Sequence, residues 1–95
     1  MKDVSAADEF SVSKEETIRL VRELIAISTV DPPGNELEAA RLVERVLQEE
    51  KIPCRVFDLG SGRANLVARL KGAGKVPALV YSAHFDTIAV DETQW

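Results

Sequence analysis

Apolar positions recur at helical spacing twice in the first half of the chain and then change to strand-like patterns. From Glu15 to about Ser28, Ile18, Val21, Leu24 and Ile25 mark one helical face, and Leu20 and Ile27 widen it enough to meet two surfaces. Ser13 with Glu16 three residues on has the form of a capping box, which places the helix start there and leaves residues 1–13 as a disordered leader. Two prolines in Asp31-Pro32-Pro33-Gly34 stop any helix, because each lacks an N–H and restricts the residue before it. Asn35 and Glu38 repeat the capping spacing. Behind them Ala39, Leu42, Val43, Val46 and Leu47 form a clean stripe, predicting a second amphipathic helix from Glu36 to about Lys51.

After Ile52-Pro53 the chain reads as strands. Cys54 to Leu59 alternates up to the Gly60-Ser61-Gly62 turn, and Asn65 to Leu70 forms a second run. Pro77 to Ala83 is almost continuously apolar, as in a strand covered on both faces. The predicted order is helix, helix, strand, strand, strand, the opening of an α/β/α sandwich. Both helices precede the sheet, so the cover for one face is missing from this order.

Composition fits a globular chain: of 95 residues, 45% are hydrophobic and 29% charged. A net charge of −4 provides no basic footprint for a nucleic-acid backbone. No apolar run reaches the ~18 residues of a membrane span, and residues 1–13 lack a signal-like apolar stretch. The single Cys54 has no cysteine partner, which fits a disulfide-independent, cytoplasmic protein. Its place in a predicted strand reads as an inert core thiol.

The chemistry candidates lie after the third apolar run. Alternation puts the side chains of His84 and Asp86 on one side at the C-terminal end of that expected strand, the edge at which open α/β sheets bind ligands. A neutral imidazole is a common zinc ligand, and a carboxylate on its other nitrogen fixes the tautomer. Alone, a histidine at a strand end is ordinarily structural or solvated. Ser82 lacks a glycine-flanked elbow and a second histidine, and the two Gly-x-Gly turns lack a following helix to cradle a phosphate.

Taken together, the motifs resemble the co-catalytic zinc metallopeptidase family of aminoacylases, carboxypeptidases and desuccinylases, including acetylornithine deacetylase and succinyl-diaminopimelate desuccinylase. The resemblance rests on Leu24-Ile25-Ala26-Ile27-Ser28-Thr29-Val30, on Asp31-Pro32-Pro33-Gly34-Asn35-Glu36, and on Ile52-Pro53. It continues in Arg63-Ala64-Asn65-Leu66-Val67-Ala68, in Ser82-Ala83-His84-Phe85-Asp86-Thr87-Ile88, and in Trp95. The last long segment is similar to the family's G-H-x-D-[TV]-V, although Ser82-Ala83 and Ala89 depart from the usual neighbours.

This resemblance implies a metallohydrolase with His84 as a metal ligand and Asp86 as the catalytic-site carboxylate that orients it. Two Zn²⁺ ions, or Co²⁺ in their place, would serve the complete enzyme, with the site incomplete here. The expected substrate is a small N-acyl amino acid or peptide, cleaved at an amide bond, with no nucleic-acid or membrane partner and a homodimeric full-length protein. Family members are several times longer. Residues 14–95 are accordingly expected to be the N-terminal part of a catalytic domain, inactive alone, with the remainder and the dimerisation domain absent. The rival expectation is a small non-catalytic αα-βββ interaction module with a structural histidine.

Overall fold

In the second amphipathic segment the apolar stripe finds a partner. A helix over Glu36–Glu49 lies against one face of a two-stranded antiparallel sheet made of Cys54–Gly60 and Arg63–Ala68. The computed structural model describes the backbone of residues 6–95 and the side chains of residues 13–95. In chain order the elements are α1 (Ala6–Ile25), α2 (Glu36–Glu49), β1 (Cys54–Gly60) and β2 (Arg63–Ala68), a small α/β arrangement.

Helix α1 begins at Ala6, so Ser13 lies inside it and does not cap it. The Ser13 carbonyl instead accepts the Thr17 hydroxyl at 2.6 Å, a bond from a helix-interior side chain back to the preceding turn. The expected leader is therefore helical over 6–13, and its residues 1–5 lie outside the described residues. Nothing in the Ala6–Ser13 sequence breaks a helix, and a capping box permits a start without imposing one. The C-terminal end comes at Ile25, where Ile27 N–H bonds Leu24 O at 3.1 Å and tightens the last turn. Ile18, Val21 and Ile25 remain exposed, so the apolar face expected to meet two surfaces is largely uncovered.

Helix α2 follows its expected bounds closely. At its start the Leu37 N–H, which has no partner within the helix, donates to Gly62 O at 2.9 Å. Asn35 does not cap the backbone; its side chain donates to Glu38 Oε2 at 2.9 Å. At its end Ile52 N–H bonds Leu47 O and Lys51 N–H bonds Gln48 O, a Schellman closure with Lys51 in the left-handed region at φ 57°.

Strands β1 and β2 pair Cys54 with Ala68, Val56 with Leu66 and Asp58 with Ala64 on the α2 side, and Arg55 with Val67 and Phe57 with Asn65 on the other. A shift in register between Asp58 and Gly60 precedes the turn. Ser61 and Gly62 both have positive φ, the geometry whose twist suits a two-residue hairpin. Cys54 is a free thiol, half-buried and not sealed in a core.

Residues 77–83 do not form the third strand that their apolar run predicts. They carry no regular secondary structure, with Leu79 78%, Val80 79% and Tyr81 90% exposed. A strand needs a neighbour to take its backbone hydrogen bonds and a layer to cover its side chains, and the described residues present neither to this run. Beyond this run, Thr87 pairs with Val30 in an isolated parallel bridge. The chain accordingly exposes 8512 Å², where a compact monomer of 10.4 kDa exposes about 5,400 Å². Among the described residues the buried apolar side chains are the small ones of Ala39, Ala40 and Ala64, beside the buried Thr29 and Glu36.

Candidate functional site

His84 and Asp86 come together as their spacing predicts, though on a segment without regular secondary structure and not at a strand end. His84 Nδ1 lies 3.2 Å from Asp86 Oδ1 and 3.0 Å from the Asp86 carbonyl oxygen. With the proton on Nδ1, the ring donates toward this pair of acceptors, and Nε2 keeps its lone pair. The histidine side chain is 82% exposed and the aspartate 42%, so Nε2 is open to solvent.

This pair is held in place by its neighbour, Thr87. The Thr87 N–H donates to Thr29 O at 3.0 Å, and the Asp31 N–H donates to Thr87 O at 2.8 Å. The Thr29 and Thr87 hydroxyls lie 3.4 Å apart. The loop between the helices thus grips the segment carrying His84 and Asp86 immediately after the pair.

The same loop is anchored from its other side by Arg63, at the start of β2. Its Nε and Nη2 reach a single oxygen, Glu36 Oε1, at 2.9 and 2.7 Å, and Nη2 also lies 3.3 Å from Asp31 Oδ2. Chiefly through the hydrogen bond to Glu36, and further through the charge of Asp31, the guanidinium pKa is raised above its already high ordinary value. Glu36 is buried, and its Oε2 has no hydrogen-bond partner. Gly34, at φ 78°, closes the loop with its N–H on Val30 O at 2.7 Å, and a Cβ built there would lie 2.8 Å from Arg63 Nε.

The Arg63, Glu36 and Asp31 cluster was not singled out from the sequence. Its partners are separated by 27 and 32 residues, and no local pattern encodes that. A glycine behind two prolines, followed by a glutamate that opens a helix, was the available signal for a loop packed against something charged.

A zinc site takes three or four protein ligands. Among the described residues no group of three or more His, Cys, Asp or Glu comes together to hold a metal ion. The donors among the described residues therefore do not by themselves fit zinc: His84 offers one nitrogen, and Asp86 is engaged in orienting it. Among the described residues, too, no helix is long and apolar enough to cross a membrane.

No protein-family model matches the chain. No solved structure matches it. Among curated proteins it is similar to the N-formyl-4-amino-5-aminomethyl-2-methylpyrimidine deformylase of Halalkalibacterium halodurans, with 35% identity over 86 residues. That alignment takes in 86% of this chain and 20% of the deformylase, so the chain spans about a fifth of the length of the relative it matches.

Proposed function

We propose that this chain contributes the N-terminal part, residues 14–95, of the catalytic domain of a hydrolase that cleaves an amide bond in a small N-acyl compound. The observation that carries this reading is the His84–Asp86 pair: a carboxylate and a carbonyl beside Nδ1 suit a proton on that nitrogen, the tautomer in which the exposed Nε2 keeps its lone pair for a metal. The similarity to a deformylase over most of this chain supports amide hydrolysis, and a formyl group on an amine is a small N-acyl substrate of the expected kind. N-acyl amino acids and short peptides belong to the same chemical class. Two zinc ions, or cobalt in their place, are the metals proposed for the complete enzyme. Because one histidine cannot hold them, the remaining ligands and the general base would come from outside residues 1–95.

The rival reading, a non-catalytic interaction module, draws on the same shortage of donors among the described residues. The two are separated by expressing the protein from the whole reading frame and assaying acyl release from N-formyl amines, N-acetyl amino acids and dipeptides. The hydrolase reading expects turnover that disappears after dialysis against a chelator and returns with zinc or cobalt, while the 95-residue chain alone gives none. A whole-frame protein that binds metal at no stoichiometric level and hydrolyses none of these amides would leave the interaction module standing.

A further inference from the structure

Resting on the reading of His84 and Asp86 as a site, we propose that Arg63 and Asp31 are positioning residues for that pair, acting through Thr87. Among the described residues, the two backbone bonds at Thr87 are the only backbone hydrogen bonds that tie residues 70–90 to the rest of the molecule. One of them is donated by Asp31, whose carboxylate lies 3.3 Å from Arg63 Nη2. The guanidinium is itself fixed by Glu36, whose buried carboxylate sits at the first position of α2. The sequence of contacts runs without a break from the start of α2 through Arg63 and Asp31 to Thr87, and Thr87 adjoins Asp86. Arg63 touches neither member of the pair. Its role is to set the backbone of Asp31 at the angle that receives Thr87.

The arrangement explains the glycine as well. Gly34 leaves room for the guanidinium to cross the loop, since a side chain at this position would meet Nε at 2.8 Å and Cζ at 2.9 Å. A loop that only joined two helices would not need this opening.

The test is amide hydrogen exchange and imidazole ¹⁵N spectroscopy on the 95-residue chain, comparing the parent with Asp31→Asn and Arg63→Ala. Exchange reports local opening residue by residue. Loss of one charge-assisted hydrogen bond should speed exchange at Asp31 and Thr87 by about fivefold or more. The ladder amides of Arg55 and Val67, which face each other as a hydrogen-bonded pair, serve as the internal reference and should stay unchanged. At a pH where the ring is neutral, the parent His84 should be in the Nδ1–H form, and both variants should shift toward the Nε2–H form as the pair loosens.

Unchanged exchange at Thr87 overturns the proposal. So does acceleration that Arg55 and Val67 share, because that is general destabilisation. Selective acceleration with no change in the His84 ring signals also overturns it, since the clasp would then not position the pair. A parent chain already in the Nε2–H form would remove the site reading itself, and the positioning role with it, by a signature that none of the other outcomes gives.

Discussion

The guanidinium of Arg63 fills the space that a side chain on Gly34 would need: a Cβ at Gly34 would stand 2.8 Å from Arg63 Nε. The glycine's absent side chain and the arginine's two acidic partners are linked, because a Cβ at Gly34 would push on the guanidinium that Glu36 and Asp31 hold. Gly60 supplies the contrast. It too has positive φ, at 87°, but nothing lies within 4 Å of its missing Cβ.

Gly60→Ala should therefore lose only the backbone term for a left-handed non-glycine residue, about 1–2 kcal/mol. Gly34→Ala should lose more. In an Arg63→Ala background the excess should vanish, because no guanidinium remains to be displaced. Urea denaturation of the four variants measures this, and equal losses at Gly34 and Gly60 would show that the close approach has no energetic weight.

The apolar segment makes a different expectation. With Leu79, Val80 and Tyr81 standing free, the 95-residue chain should bind a hydrophobic dye and self-associate. Leu79→Lys with Val80→Lys should suppress both, while the melt of the α2, β1 and β2 unit moves little, since neither residue is packed on it. Sedimentation velocity across a concentration series gives the answer. A monodisperse parent chain with a sharp cooperative melt would mean that these residues are covered in solution.

These contrasts show which parts of the molecule its sequence makes legible. Helix α2 is legible because its stripe of Ala39, Leu42, Val43, Val46 and Leu47 finds a sheet that its own chain supplies a few residues later. The hairpin is legible because the glycines of Gly60-Ser61-Gly62 admit the left-handed backbone that a two-residue turn needs at little cost. Residues 77–83 are misread because an apolar run records a need for cover, not the presence of it, and Leu79 stays exposed here. His84 and Asp86 are two residues apart, and their contact follows from local geometry. Arg63 meets Glu36 and Asp31 only after the hairpin folds onto α2, so that cluster belongs to the tertiary structure alone.

A local acid response is expected near the C-terminal end. Asp91 accepts the Thr93 hydroxyl at 2.6 Å and the Thr93 N–H at 2.9 Å, and these bonds, the hydroxyl first, lower its pKa from 3.8. A depressed carboxylate contributes stability that is present above its unfolded value and lost as pH falls through the folded one. The turn over 91–94 should thus loosen only below about pH 3.8. Thr93→Val should bring the Asp91 midpoint back up, as read from its side-chain ¹³C shift against pH. A midpoint that stays put in Thr93→Val would assign the shift to another cause.

The proposed role of His84 is that of a metal ligand in an amide hydrolase, with Asp86 orienting it. Its most direct measurement is metal content with turnover for His84→Ala and Asp86→Ala in the protein expressed from the whole reading frame. Loss of a ligand should leave one metal poorly held and abolish amide hydrolysis, and added zinc should restore very little. Loss of the orienting carboxylate should lower metal affinity or activity by roughly 10- to 100-fold, with partial recovery in excess zinc. If both variants keep the parent's metal content and activity, His84 is an ordinary exposed histidine and the hydrolase site lies elsewhere.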